Sequence, residues 1–415
     1  MPAGWTIMIF PRFNLLTQVS AGHLVSHLHM MALPALLPVL PGAMGVGFVE
    51  LGLALSVFNI VSALVQAPLG FAVDRFGARR ILMAGLLLGS CSFGSLAVFG
   101  SYAWLLVAMA LAGLANGVYH PADYAMLSAG IQGSRMGRAF SIHTFSGFIG
   151  GAMAPGLLMG IAALGGVRWA FAATALAGLV AWLLLRTGAS ATEAPKAHPH
   201  QEATKSGAPT VRPLSILTPA IAMLTLLYVL LSLSTSSIEK FSVSALVGGY
   251  GMNLPWASTA VTAFLFSSAF GVLAGGALAD RTRRHGLVAA AAFACAAILT
   301  ALVAWGRLPE MVLVLCLGAA GFLTGVIAPS RDMLVRAAAP AGAEGRAFGI
   351  VSTGFNIGGA IGPVLFGWLL DRGHFGAIFG AAVVFMTLTV GLTLVQEHRA
   401  ARRRKLAAFG GATAS

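Results

Sequence analysis

The sequence predicts an all-α membrane protein in which twelve transmembrane helices form two pseudo-symmetric six-helix bundles. Composition is the first reason: 58% of the 415 residues are apolar and 9% are charged, with a mean hydropathy of +0.88, far from the averages of soluble domains. The second is that apolar runs near the ~20 residues a helix needs to cross a bilayer recur from one end of the chain to the other. The third is an internal repeat that relates the two halves.

Twelve runs are expected as spans, at 14–38, 50–73, 80–99, 103–128, 139–163 and 168–186, then 216–240, 256–279, 286–306, 309–336, 347–370 and 374–395. The first runs on for a full span with no small-residue cleavage site behind it, so it is read as retained and not as a signal peptide. Cys91, Cys295 and Cys316 fall inside spans with no close pair, which points to neither a disulfide framework nor a thiolate metal site.

A net charge of +13 would suggest nucleic acid in a soluble protein, but the placement of the charge argues otherwise. Arg75, Arg79, Arg80, Arg135, Arg138, Arg281, Arg283, Arg284, Arg336, Arg346 and the tail from Arg399 to Lys405 all fall on one side, against Arg168, Arg307 and Arg372 on the other. The positive-inside rule then puts both termini in the cytoplasm, as in a multi-pass protein of a bacterial inner membrane. The basic tail is read as an orientation signal and anionic-lipid contact, with no nucleic-acid partner.

After the sixth run the composition switches to Ala, Pro, Ser and charge, in GASATEAPKAHPHQEATKSGAP, a polar linker with nothing to bury. The expected organisation is a bundle over 1–186, a cytoplasmic linker over 187–215, a second bundle over 216–398 and a basic tail over 399–415. Across the linker, the segment from Gly117 to Pro155 aligns without a gap on that from Gly325 to Pro363 at an offset of 208, keeping Pro121, Gly137, Arg138, Ala139, Phe140, Gly150 and Gly151. Likewise GFAVDRFGARR (70–80) matches GALADRTRRHG (276–286) at an offset of 206. Such parallel repeats place a site between the halves, near mid-membrane.

With these motifs in view, the chain resembles the major facilitator superfamily over residues 10–398. Gly70, Asp74, Arg75, Gly77, Arg79 and Arg80 match the family's loop signature, and Gly276, Asp280 and Arg281 copy part of it, with Arg283 where a glycine belongs. GHLVSH in the first run and VYHPADYA in the fourth resemble fosmidomycin-resistance-type exporters. The resemblance implies secondary transport by alternating access, with Asp74, Arg75, Arg79 and Asp280 latching the outward-facing state; these charges could otherwise serve only to set topology. It implies a small-molecule substrate, coupling to protons, no cofactor and a monomer in the bilayer. Export of a small amphipathic or anionic compound is the first expectation, uptake of a small organic acid the second. The arginine often found in the fourth span of proton antiporters is replaced by Met109.

Ionisable residues in a span are costly and mark function. Asp123, in the fourth span, needs a partner; the repeat puts Arg331 at the equivalent position with Asp332 beside it, and a charge cluster of these three is expected. In the first span HLVSHLHMM (23–31) puts His23 and His27 on one stripe, about 40° apart, while His29 points away. A proton relay through His23 and His27 with His120 and His143, direct substrate hydrogen bonding, a soft-metal path through His27 and Met31, and structural packing all remain open. No dedicated metal site is expected. Asn59, Asn116, Tyr228 and Asn356 complete the candidate path as polar residues deep in spans, and Glu239 is a further candidate coupling acid. A membrane metalloenzyme is disfavoured because no HExxH-type spacing occurs, and a non-transporting sensor because no signalling domain is present.

Overall fold

The structure is a computed structural model that describes residues 14–132, 136–187, 218–282, 284–306, 308–338 and 344–412. The first half comprises α1 (Leu15–Leu36), a short α2 (Leu40–Met44), α3 (Phe48–Phe76), α4 (Ala78–Val98), α5 (Tyr102–Gly130), α6 (Met136–Gly165) and α7 (Val167–Thr187). In the second, α8 (Pro219–Ser236) passes through a π-helical turn at Ser237–Phe241 into α9 (Ser242–Tyr250). It continues with α10 (Leu254–Arg281), α11 (His285–Ala304), α12 (Glu310–Ala338), α13 (Glu344–Asp371) and α14 (Gly376–Ala412).

Helix starts follow the local chemistry. Asn14, Ser101, Thr218 and Asn253 each accept a hydrogen bond from the backbone N–H three residues on, satisfying a donor that the first turn leaves open. Gly77, in the signature loop, has φ +91°, a conformation only glycine takes readily. It turns the chain directly from α3 into α4.

Counting α8 to α9 as one, eleven described helices are long and apolar enough to cross a membrane. The twelfth span is α1, whose 22 residues reach about 33 Å, enough for the hydrocarbon core; Gln18, three histidines and two serines dilute its apolar character. The sequence expected the seventh span to stop at residue 240, but the helix runs on to Tyr250. The hydroxyls of Ser234, Thr235, Ser237 and Ser242 bond back to carbonyls one turn earlier, so this polar run is accommodated within a helix that passes through a π turn. The last helix likewise continues past 395 to Ala412, through the basic tail.

The halves meet along two seams, α3 against α13 and α6 against α10. At the first, Ser56 donates to the Ala360 carbonyl at 2.6 Å. A Cβ at Gly52 would overlap the Pro363 carbonyl, and one at Gly367 the Phe48 carbonyl, so these small residues bring the two backbones into contact. Where α3 begins, the Asp371 carboxylate, from the end of α13, accepts from the Phe48 and Val49 N–H groups at 2.7 and 2.8 Å. A carboxylate of one half thus caps a helix N-terminus of the other. These contacts lie at the end of the molecule opposite the linker; at the linker end of α3, Phe71, Asp74, Arg75 and Phe76 are exposed. The seam between α3 and α13 is closed at the end opposite the linker.

A charge at an exposed helix start contributes about 1 kcal/mol. Asp371→Asn is therefore expected to shift the balance toward opening of that end by roughly fivefold, read as a longer distance between spin labels placed across it.

Candidate functional site

The close crossing of α1 and α6 builds the site. A Cβ at Gly150 would overlap the Leu24 carbonyl, and Ser146 donates to the Ser20 carbonyl at 3.0 Å. This contact holds the His23 stripe of α1 against α6, with α5 closing the third side. His29, on another face of α1, is spent on packing. Its Nε2 lies 3.1 Å from the Thr174 carbonyl, and its ring rests against Gly89 and Gly178.

At the meeting of the three helices Asp123 of α5 is wholly buried, His143 of α6 wholly buried, and His23 nearly so. Asp123 Oδ2 lies 3.3 Å from His23 Nδ1 and 3.6 Å from His143 Nε2. Neither approach is aligned as a hydrogen bond, which leaves ion-pair contacts that a proton on either ring would strengthen. His23 stacks on His143 with centroids 3.9 Å apart, and His27 and His120 meet its edge at 4.7 and 5.4 Å. Tyr124 flanks His120 and His143, each at 6.0 Å.

One carboxylate and two imidazoles are thus buried together, with the half-buried His27 and the exposed His120 beside them, and an unmatched charge on the buried groups is costly. The group can take up or release a proton, or offer donors and acceptors to a polar molecule. Ligand atoms of His23, Asp123 and His143 lie within 4.8 Å of one another, a spacing a metal ion could draw together. The stacking of His23 on His143 opposes that use, because stacked rings send their in-plane lone pairs along parallel lines instead of converging on one ion.

The expected pairing of Asp123 with Arg331 is not among the ion pairs of the described residues. Among the described residues the ion-pair partners of Asp123 are histidines of its own half, whereas Arg331 lies over the rings of Tyr228 and Phe355 in the second half. The side chains of Asp280 and Asp332 lie outside the described residues. Pseudo-equivalent positions belong to opposite halves, and nothing in a repeat brings them into contact.

In the signature loop, Arg79 bonds to the Leu185 carbonyl of α7, Arg75 rests on Phe76, and Asp74, Arg80 and Arg281 are exposed. Gly70 has open space around it. Asn116 donates to Ser62 at 2.7 Å, tying α5 to α3. Asn59 donates to the Leu55 carbonyl and lies beside Gly359 at the seam between the halves. Glu239 and Lys240 are half-buried in the π turn, and Asn356 is half-buried on α13. Gly147 was missed as a site residue: it sits under His23 and His27, where a Cβ would come 2.6 Å from His23 Cδ2 and 2.9 Å from His27 Cδ2. Its only sequence signal was the small-residue run GFIGGAMAPG.

Comparison with known proteins bears on what this arrangement serves. The family profile described as Major Facilitator Superfamily matches residues 19–258 and 227–413. The chain is 27% identical over 277 residues to the fosmidomycin resistance protein of Escherichia coli (strain K12), covering 66% of each chain. It is 30% identical over 159 residues to "Probable anion transporter 5" of Arabidopsis thaliana, covering 37% of each. Both matches span less than two thirds of the relative's length. Among solved structures, an inward-facing, occupied bacterial homolog of the human lysosomal transporter Spinster superposes with a TM-score of 0.73 at 14% identity, over 92% of this chain and 96% of that one. The nucleoside transporter NupG gives 0.75 at 16% identity, over 92% and 99%. At these identities the structures speak for the fold alone.

The space at Gly147 yields a test. Gly147→Ala forces both rings to shift and is expected to cost about 1–3 kcal/mol of stability, measured by thermal unfolding in detergent. Gly151→Ala meets only ordinary contacts, the nearest at 3.6 Å from Met31, and is expected to be near neutral.

Proposed function

Since the chain belongs to the Major Facilitator Superfamily and is a multi-pass membrane transporter rather than an enzyme, we propose that it is a proton-coupled exporter of a small amphipathic or anionic compound. The observation that carries the proposal is Asp123, buried within a span with its carboxylate in ion-pair reach of His23 and His143. Imidazole and carboxylate are side chains that exchange protons, and here one carboxylate lies within ion-pair reach of two imidazoles. Each proton gained or lost changes the charge enclosed between α1, α5 and α6, and a change of charge there biases which state of the bundle is favoured.

Alternating access then consists of the bundles 1–186 and 216–398 rocking about the site, joined by the linker 187–215. The excess of basic residues supports placing the linker end, the basic tail 399–415 and both termini in the cytoplasm of a bacterial inner-membrane protein. In that orientation the closed seam at Asp371 faces outward, and the state is one that loads from the cytoplasm. The same orientation makes Asp74, Arg75, Arg79 and Asp280 the gate of the opposite, outward-facing state. Kinship with a resistance protein supports export, since removing a toxic compound is how a transporter confers resistance. The plant relative named as an anion transporter supports an anion in either direction, and with it the second reading, uptake of a small organic acid. The working unit is a monomer.

The test uses everted vesicles energised to an acid interior and challenged with organic acids, phosphonates and amphipathic drugs while a dye reports interior pH. A compound that dissipates the gradient only when the protein is present is the expected result, with Asp123→Asn abolishing that flux and leaving binding to the purified protein in place. An unchanged flux in Asp123→Asn removes the carboxylate from coupling. Loss of binding together with flux makes it a substrate contact instead.

A further inference from the structure

At the end of the molecule opposite the linker, helix ends of the first half enclose a cavity of about 570 Å³, within the ~300–1,000 Å³ usual for ligand pockets. Met44 of α2, Phe99 after α4, Met159 of α6 and Phe171 of α7 give it apolar walls, and Leu254 at the start of α10 adds one from the second half. Arg168 lines it as well; a Cβ at Gly100 would lie 3.8 Å from its Nη2. Gly166, with φ +86°, turns the chain from α6 into α7 and sets Arg168 in the first turn of α7. The helix macrodipole is positive at that end, so a cation there does not stabilise the helix. Among the described residues Arg168 has no hydrogen bond, ion pair or ring contact. Phe99 and Trp169 line the cavity and are more than half exposed, as are the adjoining Val98 and Leu164. Large apolar side chains with a tryptophan among them suit the edge of the hydrocarbon layer and not water, so a molecule that enters the cavity comes from the bilayer.

We propose that this cavity binds an anionic phospholipid of the adjoining leaflet, with part of an acyl chain between the apolar walls and the phosphate on the Arg168 guanidinium. The guanidinium fork matches phosphate oxygens in pairs, and basic pockets between membrane helices hold lipid headgroups by this attraction. Burial of hydrocarbon against the walls supplies the second contribution. A soluble anion would satisfy Arg168 and leave the walls uncovered; an uncharged lipid would cover the walls and give Arg168 nothing to pair with. An anionic phospholipid does both. The inference needs only that the chain spans a membrane, and is independent of substrate, direction and proton coupling.

The test is native mass spectrometry of the purified full-length protein, stripped of lipid and then supplied with dioleoylphosphatidylglycerol, the uncharged dioleoylglycerol or glycerol phosphate. The phosphatidylglycerol is expected to be retained more tightly than either of the others. Arg168→Gln should weaken that retention by roughly fivefold. Ala163→Trp, which places an indole among the lining residues and keeps Arg168, should weaken it as well. Arg372→Gln, whose cation lies at the same end over the Trp368 ring, should bind as the unaltered protein does. The basic tail is common to every variant, so differences between them report the cavity. Arg168 and Ala163 are exposed, and unchanged thermal unfolding checks that both variants keep the fold. Equal retention of dioleoylglycerol, binding of glycerol phosphate as tight as that of the phospholipid, unchanged binding in Arg168→Gln or Ala163→Trp, or an equal loss in Arg372→Gln overturns the proposal.

Discussion

A carboxylate enclosed by hydrocarbon and packed helices has to be matched or neutral, and the interior of the first half is organised by that requirement at Asp123. The side chain is wholly buried, and its two ion-pair partners, His23 and His143, come from the helices on either side. To bring those partners in, α1 and α6 must cross closely, which requires a glycine against the Leu24 carbonyl and another beneath the His23 and His27 rings. The dense packing of α1, α5 and α6 and the chemistry of the site are therefore one constraint: loosening the crossing separates the acid from its histidines, and removing the acid leaves His23 and His143 without their shared counter-charge.

The second half repeats the frame with different side chains: at the position the repeat equates with Asp123 it has Arg331, which lies over the rings of Tyr228 and Phe355. The seam between α3 and α13 depends on different features, close backbone contacts at Gly52 and Gly367 and the cap that Asp371 places on α3. Because that cap joins the bundles through a carboxylate and two N–H groups at one end only, rocking can break it without disturbing the buried cluster. The proposed coupling requires only that the proton state of the cluster and the state of the seam favour the same arrangement.

Much of this was legible in the sequence. Spans follow from length and hydropathy, the turn at Gly77 from its place in the signature, and the division into halves from an ungapped repeat. Helical periodicity separated His29 from the His23 and His27 stripe, and the structure keeps them on different faces. What was not legible depended on contacts between distant segments. The repeat makes Arg331 the equivalent of Asp123, yet equivalence under a pseudo-symmetry axis does not by itself put two positions in contact. The sequence reading ends the seventh span at residue 240, whereas the helix runs on to Tyr250. Hydroxyl bonds back to the helix carbonyls, a local effect with no periodic signature, carry it on through a π turn. Gly147 gave no hint of its role beyond being small.

The claim on which the rest stands is that Asp123 and its histidines exchange a proton within the membrane. Infrared difference spectra of the purified protein, recorded as the pH is moved from mildly acid to mildly alkaline, report this directly through the carbonyl stretch of a protonated carboxyl group. The account predicts a buried-carboxyl band that changes over this range together with imidazole bands and is absent from Asp123→Asn. Identical spectra for the two proteins would show that Asp123 keeps one protonation state throughout, and would contradict it.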